Sequence, residues 1–97
     1  VMTKGYLIAQ VTVTNSEAYF RYAKAAGDLL KNYGARLIVA PESALIKEGS
    51  PKARTAIFEF ESFDKAKEFW DSPEYAEAKV LRSGAAEADF ILIEGAD

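Results

Sequence analysis

Ninety-seven residues suit a single domain, and 49% hydrophobic with 28% charged side chains is a globular balance that rules out a disordered chain. Lys+Arg 12 against Asp+Glu 15 leaves a net charge of -3, so no surplus of cations exists to displace counterions from a phosphate backbone, which argues against nucleic acid as a partner. The chain contains no Cys and no His, which removes disulfides, thiolate nucleophiles, Cys or His zinc sites, His-based triads and a His-ligated haem.

No apolar run approaches the roughly 20 residues that span a bilayer, and the first residues lack the layout of a signal peptide. A cytoplasmic protein without a membrane partner is therefore expected. Val1, standing before Met2, reads as an appended residue, and one domain is expected over residues 2–97.

From Tyr6 to Val13 the chain alternates, with Leu7, Ala9, Val11 and Val13 on one side and Tyr6, Ile8, Gln10 and Thr12 on the other. A period of two marks a strand. Between Asn15 and Tyr33 the spacing becomes helical: Tyr19, Tyr22, Ala23, Ala26, Leu30 and Tyr33 form one stripe. Asn15 suits the N-cap and Glu17 the first turn, where a negative charge meets the positive end of the helix dipole. Gly34 suits the turn that ends the helix.

Arg36–Ala40 reads as a short strand stopped by Pro41, and Ala44–Glu48 as another before Gly49, Ser50 and Pro51. Arg54–Phe60 alternates again, with Ala56, Phe58 and Phe60 opposite Thr55, Ile57 and Glu59. Ser62 then caps a helix carrying Phe63, Ala66, Phe69 and Trp70. The residue before a proline avoids the α region, so the spacing predicts a break at Ser72, with Pro73 opening a new turn that runs through Tyr75, Ala76, Lys79 and Val80 to Gly84. Asp89–Glu94 closes the chain as a strand.

The order of elements is strand, helix, strand or split pair of strands, helix, strand. Two such split βαβ units predict a ferredoxin-like α+β sandwich, βαββαβ, with an antiparallel sheet and the helices on one face. The free face would then display some of Tyr6, Ile8, Ile38 and Ile57 with either Ile91 and Ile93 or Phe90 and Leu92. An apolar surface of that extent seldom stays wet, and a two-fold pairing of sheets would cover it. A homodimer through the open sheet face is expected.

Several residues also carry a likeness to a known family. Gly5-Tyr6-Leu7-Ile8-Ala9, Glu17-Ala18-Tyr19, Tyr22, Tyr33-Gly34, Glu48-Gly49, Pro51, Arg54, Glu59-Phe60, Ser62, Trp70, Ser72-Pro73-Glu74-Tyr75, Arg82 and Glu94-Gly95 together resemble a domain-of-unknown-function family within the dimeric α/β-barrel superfamily. Ser-Pro-Glu-Tyr after Trp, with an Arg downstream, is the most specific part. The family's pattern carries two glycines after the first helix, whereas this chain has Gly34-Ala35. The resemblance implies the ferredoxin-like fold, a dimer and a small-molecule cleft between sheet and helices, but no particular reaction.

Candidates for that cleft follow from residue chemistry. Arg54 and Arg82 stand beside apolar elements, so one or both guanidinium forks could grip a carboxylate or phosphate, a small organic acid being the ligand in view. Ion pairs with Glu59, Glu74 or Glu87 are the structural alternative. Tyr22, Trp70 and Tyr75 offer aromatic walls with polar tips, while Tyr19 suits the core. Glu59, on the face opposite Phe58 and Phe60, is a weak candidate for a proton acceptor, or else a strut paired with Arg36 or Arg54. Glu59 and Glu61 lack a third oxygen ligand, so no metal or cofactor is expected. Three functions remain open: a ligand-binding dimer, a cofactor-independent monooxygenase or isomerase, and a structural or regulatory dimer whose cleft is filled by its own side chains.

Overall fold

The computed structural model describes residues 3–96; Val1, Met2 and Asp97 lie outside the described residues, and with them the appended residue and both ends of the expected domain. Its elements are β1 (Gly5–Val13), α1 (Ser16–Asn32), β2 (Arg36–Leu37), β3 (Arg54–Phe60), α2 (Phe63–Asp71), α3 (Pro73–Val80) and β4 (Ala86–Glu94), with a 3-10 turn at Pro41–Ser43. The strands form one antiparallel sheet in the order β2-β3-β1-β4. This is the ferredoxin-like α+β arrangement. No helix among the described residues is long and apolar enough to cross a membrane.

Each helix starts where the sequence supplies a cap. The Asn15 Oδ1 accepts from the Ala18 N–H at 3.2 Å and the Ser62 Oγ from the Lys65 N–H at 3.1 Å. Ser72 does more: its hydroxyl donates to the Phe69 carbonyl at 2.8 Å, closing α2, and accepts from the Tyr75 N–H at 3.1 Å, opening α3. One buried side chain thus joins the two helices, and Pro73 forbids their fusion.

The register assigns the sheet's faces. Leu7, Ala9 and Val11 of β1 are buried under the helices, with Phe60 of β3, and they meet Tyr22, Ala26 and Leu30 of α1 and Phe69 and Tyr75 beyond it. Gly5 permits the tightest approach, since a Cβ there would stand 2.7 Å from the Phe63 Cα and 2.8 Å from the Ser62 carbonyl. On the outer face Ile8 lies between Ile57 and Ile91, and the Ile38 N–H bonds to the Ile57 carbonyl. This makes a band of isoleucine across the strands, with Ile38 41%, Ile91 54% and Ile93 42% exposed. Of the two pairs considered for β4, Phe90 and Leu92 therefore face inward and Ile91 and Ile93 outward.

Three boundaries depart from the sequence expectation. Ala44–Glu48 is not a strand: β2 stops after two paired residues, the 3-10 turn lifts the chain off the sheet edge, and Leu45 and Ile46 are exposed. β4 starts at Ala86 rather than Asp89 because β1 is long enough to pair with it as far as Val13↔Ala86. The helical run expected to reach Gly84 ends at Val80 and continues as turns.

Candidate functional site

The inner face of the sheet has a low centre. In register across the strands, Ala56 lies beside Ala9, whereas Phe58 and Leu7 fill the next row. Above that centre α1 brings Ala23, Ala26 and Gly27, again residues with little or no side chain. Small faces small, and a cavity of about 220 Å³ results. This exceeds the roughly 150 Å³ that accepts a benzene ring. Phe69, Tyr75 and Phe90 close one end, Leu37 and Pro41 another, and Tyr19, Tyr22 and Arg54 bring the polar atoms.

The tyrosines are placed by different elements yet converge. Tyr22 projects from α1, and Tyr75 stands in the first turn of α3, where Ser72 holds its backbone. Their hydroxyls are 2.7 Å apart, either able to donate, and both residues are buried. Burial raises the Tyr22 pKa, the neighbouring Tyr75 hydroxyl adds to the rise, and Arg82 opposes it without cancelling it. Burial raises Tyr19 likewise, against the pull of Arg54 and Arg82, which places both arginines within electrostatic reach of one phenol. These hydroxyls are hydrogen-bond donors at neutral pH rather than bases.

The two arginines differ. Arg54 shares the inner face with Val11 and lines the cavity, but its Nη1 lies 3.0 Å from Glu42 Oε1 in an exposed ion pair. Arg82 follows α3, its guanidinium stacked 5.2 Å from the Tyr22 ring centre and 4.4 Å from that of Phe90. Among the described residues it has no carboxylate partner, and its buried Nε has no hydrogen-bond partner at all. Burial works against its charge, but the Tyr75 and Tyr22 hydroxyls outweigh that and raise its pKa. The alternatives of Glu59, Glu74 or Glu87 as ion-pair partners hold for neither arginine: Arg54 takes Glu42, and Arg82 takes aromatic faces.

Of the residues singled out from sequence, Tyr22, Tyr75 and Arg54 meet at the cavity, and Arg82 lies directly behind the tyrosine pair. Trp70 is not a cavity wall. Its ring packs behind Tyr75 at 4.9 Å and on Phe90 at 5.5 Å, with Lys79 Nζ 4.8 Å over it, so it buttresses the rings that are. Phe69 takes the inward position, because neighbouring helical residues point about 100° apart. Glu59 faces away from the cavity on the outer side of the sheet, held by Arg36 Nε at 3.1 Å, Lys4 Nζ at 3.8 Å and the Tyr6 hydroxyl at 3.3 Å. Tyr19, Phe90 and Gly27 line the site without having been singled out for it; the available signal was the run of small residues at inward positions of both strand and helix.

Solved structures share this architecture. A protein of unknown function from Rhodopseudomonas palustris superposes with a TM-score of 0.76 at 19% identity, covering 100% of this chain and 85% of that one. SnoaB, a cofactor-independent oxygenase from Streptomyces nogalater, superposes at 0.65 with 13% identity, covering 97% and 94%. A dimeric ferredoxin-like protein of unknown function from Thermobifida fusca does so at 0.60 with 9% identity, covering 96% and 92%. Identities this low establish the fold alone. No curated protein matches the sequence. Residues 4–96, almost the whole chain, match one family profile, and the chain belongs to that family, the domain of unknown function DUF1330.

Proposed function

We propose that the protein is a homodimer that holds a small organic ligand in the cavity between α1 and the sheet, with Tyr22 and Tyr75 as walls and Arg54 at the rim. The observation that carries this reading is the cavity itself: about 220 Å³, lined chiefly by apolar side chains with a few hydroxyls and a guanidinium at its edge. A ligand pocket has that composition. A purely structural dimer would gain apolar burial by filling the cleft with its own side chains, at roughly 25 cal/mol per Å² removed from water. The isoleucine band on the outer face supports the dimer, and the Thermobifida fusca protein described as dimeric shares the fold. Face-to-face sheets would leave both cavities on the outside, each under its own helices.

Catalysis like that of SnoaB is the second reading, favoured by the shared fold and an apolar cleft. It requires a proton acceptor, and Glu59 lies on the wrong face of the sheet to be one.

Toluene titrated into the protein and followed by methyl NMR tests the site. Shifts at Leu7, Leu30 and Leu37 with Ile8 and Ile91 unmoved are expected; a response confined to the isoleucines, or none, overturns the reading. Sedimentation at micromolar concentration should give the dimer mass, and Ile8→Asp the monomer with its helix content intact. A wild-type chain sedimenting only as monomer refutes the assembly.

A further inference from the structure

Hydrogen-bond arithmetic at the closed end of the cavity leaves a donor over. Tyr22, Tyr75 and Arg82 bring two hydroxyl protons and one Nε–H to a buried corner, and only the bond between the two hydroxyls is made. Suppose the Nε–H turned to one phenol oxygen and that phenol donated to the other. The second hydroxyl proton would still lack an acceptor. Buried donors are paired almost without exception, and an orphan costs about 1–3 kcal/mol. Both rings line the cavity, so the open direction for the spare proton is inward.

Charge adds to the deficit. The Arg82 guanidinium is stacked on two aromatic faces with no carboxylate within salt-bridge distance among the described residues, whereas Arg54 is answered by Glu42. Aromatic faces attract a cation but do not neutralise it. Solvent reaches part of this half-buried guanidinium, and an anion held at the tyrosine pair would supply the counter-charge that the described side chains do not.

We propose that the Tyr22–Tyr75 hydroxyl pair, polarised by Arg82 behind it, is an anion-recognition site whose ligands are carboxylates carried on a compact apolar body such as a single aromatic ring. The carboxylate accepts the spare hydroxyl proton, and the ring lies over Ala9 and Ala56. No proton is transferred: burial raises the Tyr22 pKa, and the hydroxyl pair acts through hydrogen-bond donation. This rests on the cavity being the ligand site.

Benzoate and toluene separate the two claims, because they share a ring and differ in the carboxylate. Calorimetric titration at neutral pH should find benzoate bound at least about tenfold more tightly, the factor one charge-assisted hydrogen bond supplies. Arg82→Gln and the double variant Tyr22→Phe/Tyr75→Phe, which keeps both rings but removes both hydroxyl protons, should each erase most of that preference, read as the ratio of benzoate to toluene affinity, which a merely structural role for the pair would not do. Equal binding of the two probes by the wild-type protein overturns the anion site and leaves the cavity reading standing. Binding of neither overturns both. A benzoate preference that survives in both variants moves the anion to Arg54 and overturns the proposal. Melting temperatures of the variants confirm folding, and the wild-type comparison holds whether or not they fold.

Discussion

Gly27 offers the most direct handle on the cavity. It sits mid-helix in α1 with ordinary helical backbone, and a Cβ added there would meet no atom within 4 Å. Alanine is favoured over glycine inside a helix by about 1 kcal/mol. With no collision to offset that gain, Gly27→Ala should be more stable by close to this amount, about 4–8 °C in Tm for a domain of this length. Gly27→Leu goes further. A fully buried leucine contributes about 1.5–3 kcal/mol and loses about 0.5–1 kcal/mol of rotamer entropy, so it should add roughly 1–2 kcal/mol beyond alanine. It would also occupy the chamber, lowering toluene affinity by more than about tenfold, as displacement of one ring's worth of apolar contact implies. Thermal melts at matched protein concentration, since a dimer's Tm depends on it, and the NMR titration read both effects. Gly27→Ala melting at or below the wild type would show that the helix closes on the sheet there. Gly27→Leu binding toluene as the parent does would place the ligand elsewhere.

Ser72→Ala should cost about 1–2 kcal/mol in urea denaturation, more than Ser62→Ala, because it loses both a cap and the bond that closes the preceding helix; equal losses would contradict the dual role. The tyrosines fix an alkaline limit. Burial raises Tyr22 and Tyr19, and unfolded tyrosine ionises near about pH 10. A group kept neutral by folding contributes its full stability below that pH and loses it as pH climbs through the folded value, so stability should be unaffected by these rings at neutrality and fall above about pH 10. Tyrosinate absorbance for these two rings should appear with unfolding, and all 5 tyrosines ionising near their ordinary pKa in a still-folded chain would refute it.

Local signals that repeat over a whole element were legible in the sequence. The alternation of β1 and β3, the caps at Asn15 and Ser62, and the break at Ser72 each rest on neighbours a few residues apart, and the structure follows them. Ala44–Glu48 is an apolar run bounded by turn residues, over a span too short to outweigh the lack of a strand to pair with once Pro41 and its turn have left the edge. Trp70 and Phe69 are adjacent, and which one faces inward depends on the rotation of α2, fixed by contacts at Gly5 that no periodicity records. The cavity was least legible. It is made of absences, Ala9, Ala56 and Gly27, contributed by three elements and brought opposite one another only by the fold.

That void has a mechanical consequence. Unfolding abolishes internal space, and hydrostatic pressure favours whichever state occupies less volume. Whatever part of the 220 Å³ cleft water leaves dry at its inner, apolar end therefore makes the chain more compressible than a close-packed neighbour of equal length, and a bound guest would harden it against squeezing even where it left the melting point almost unmoved.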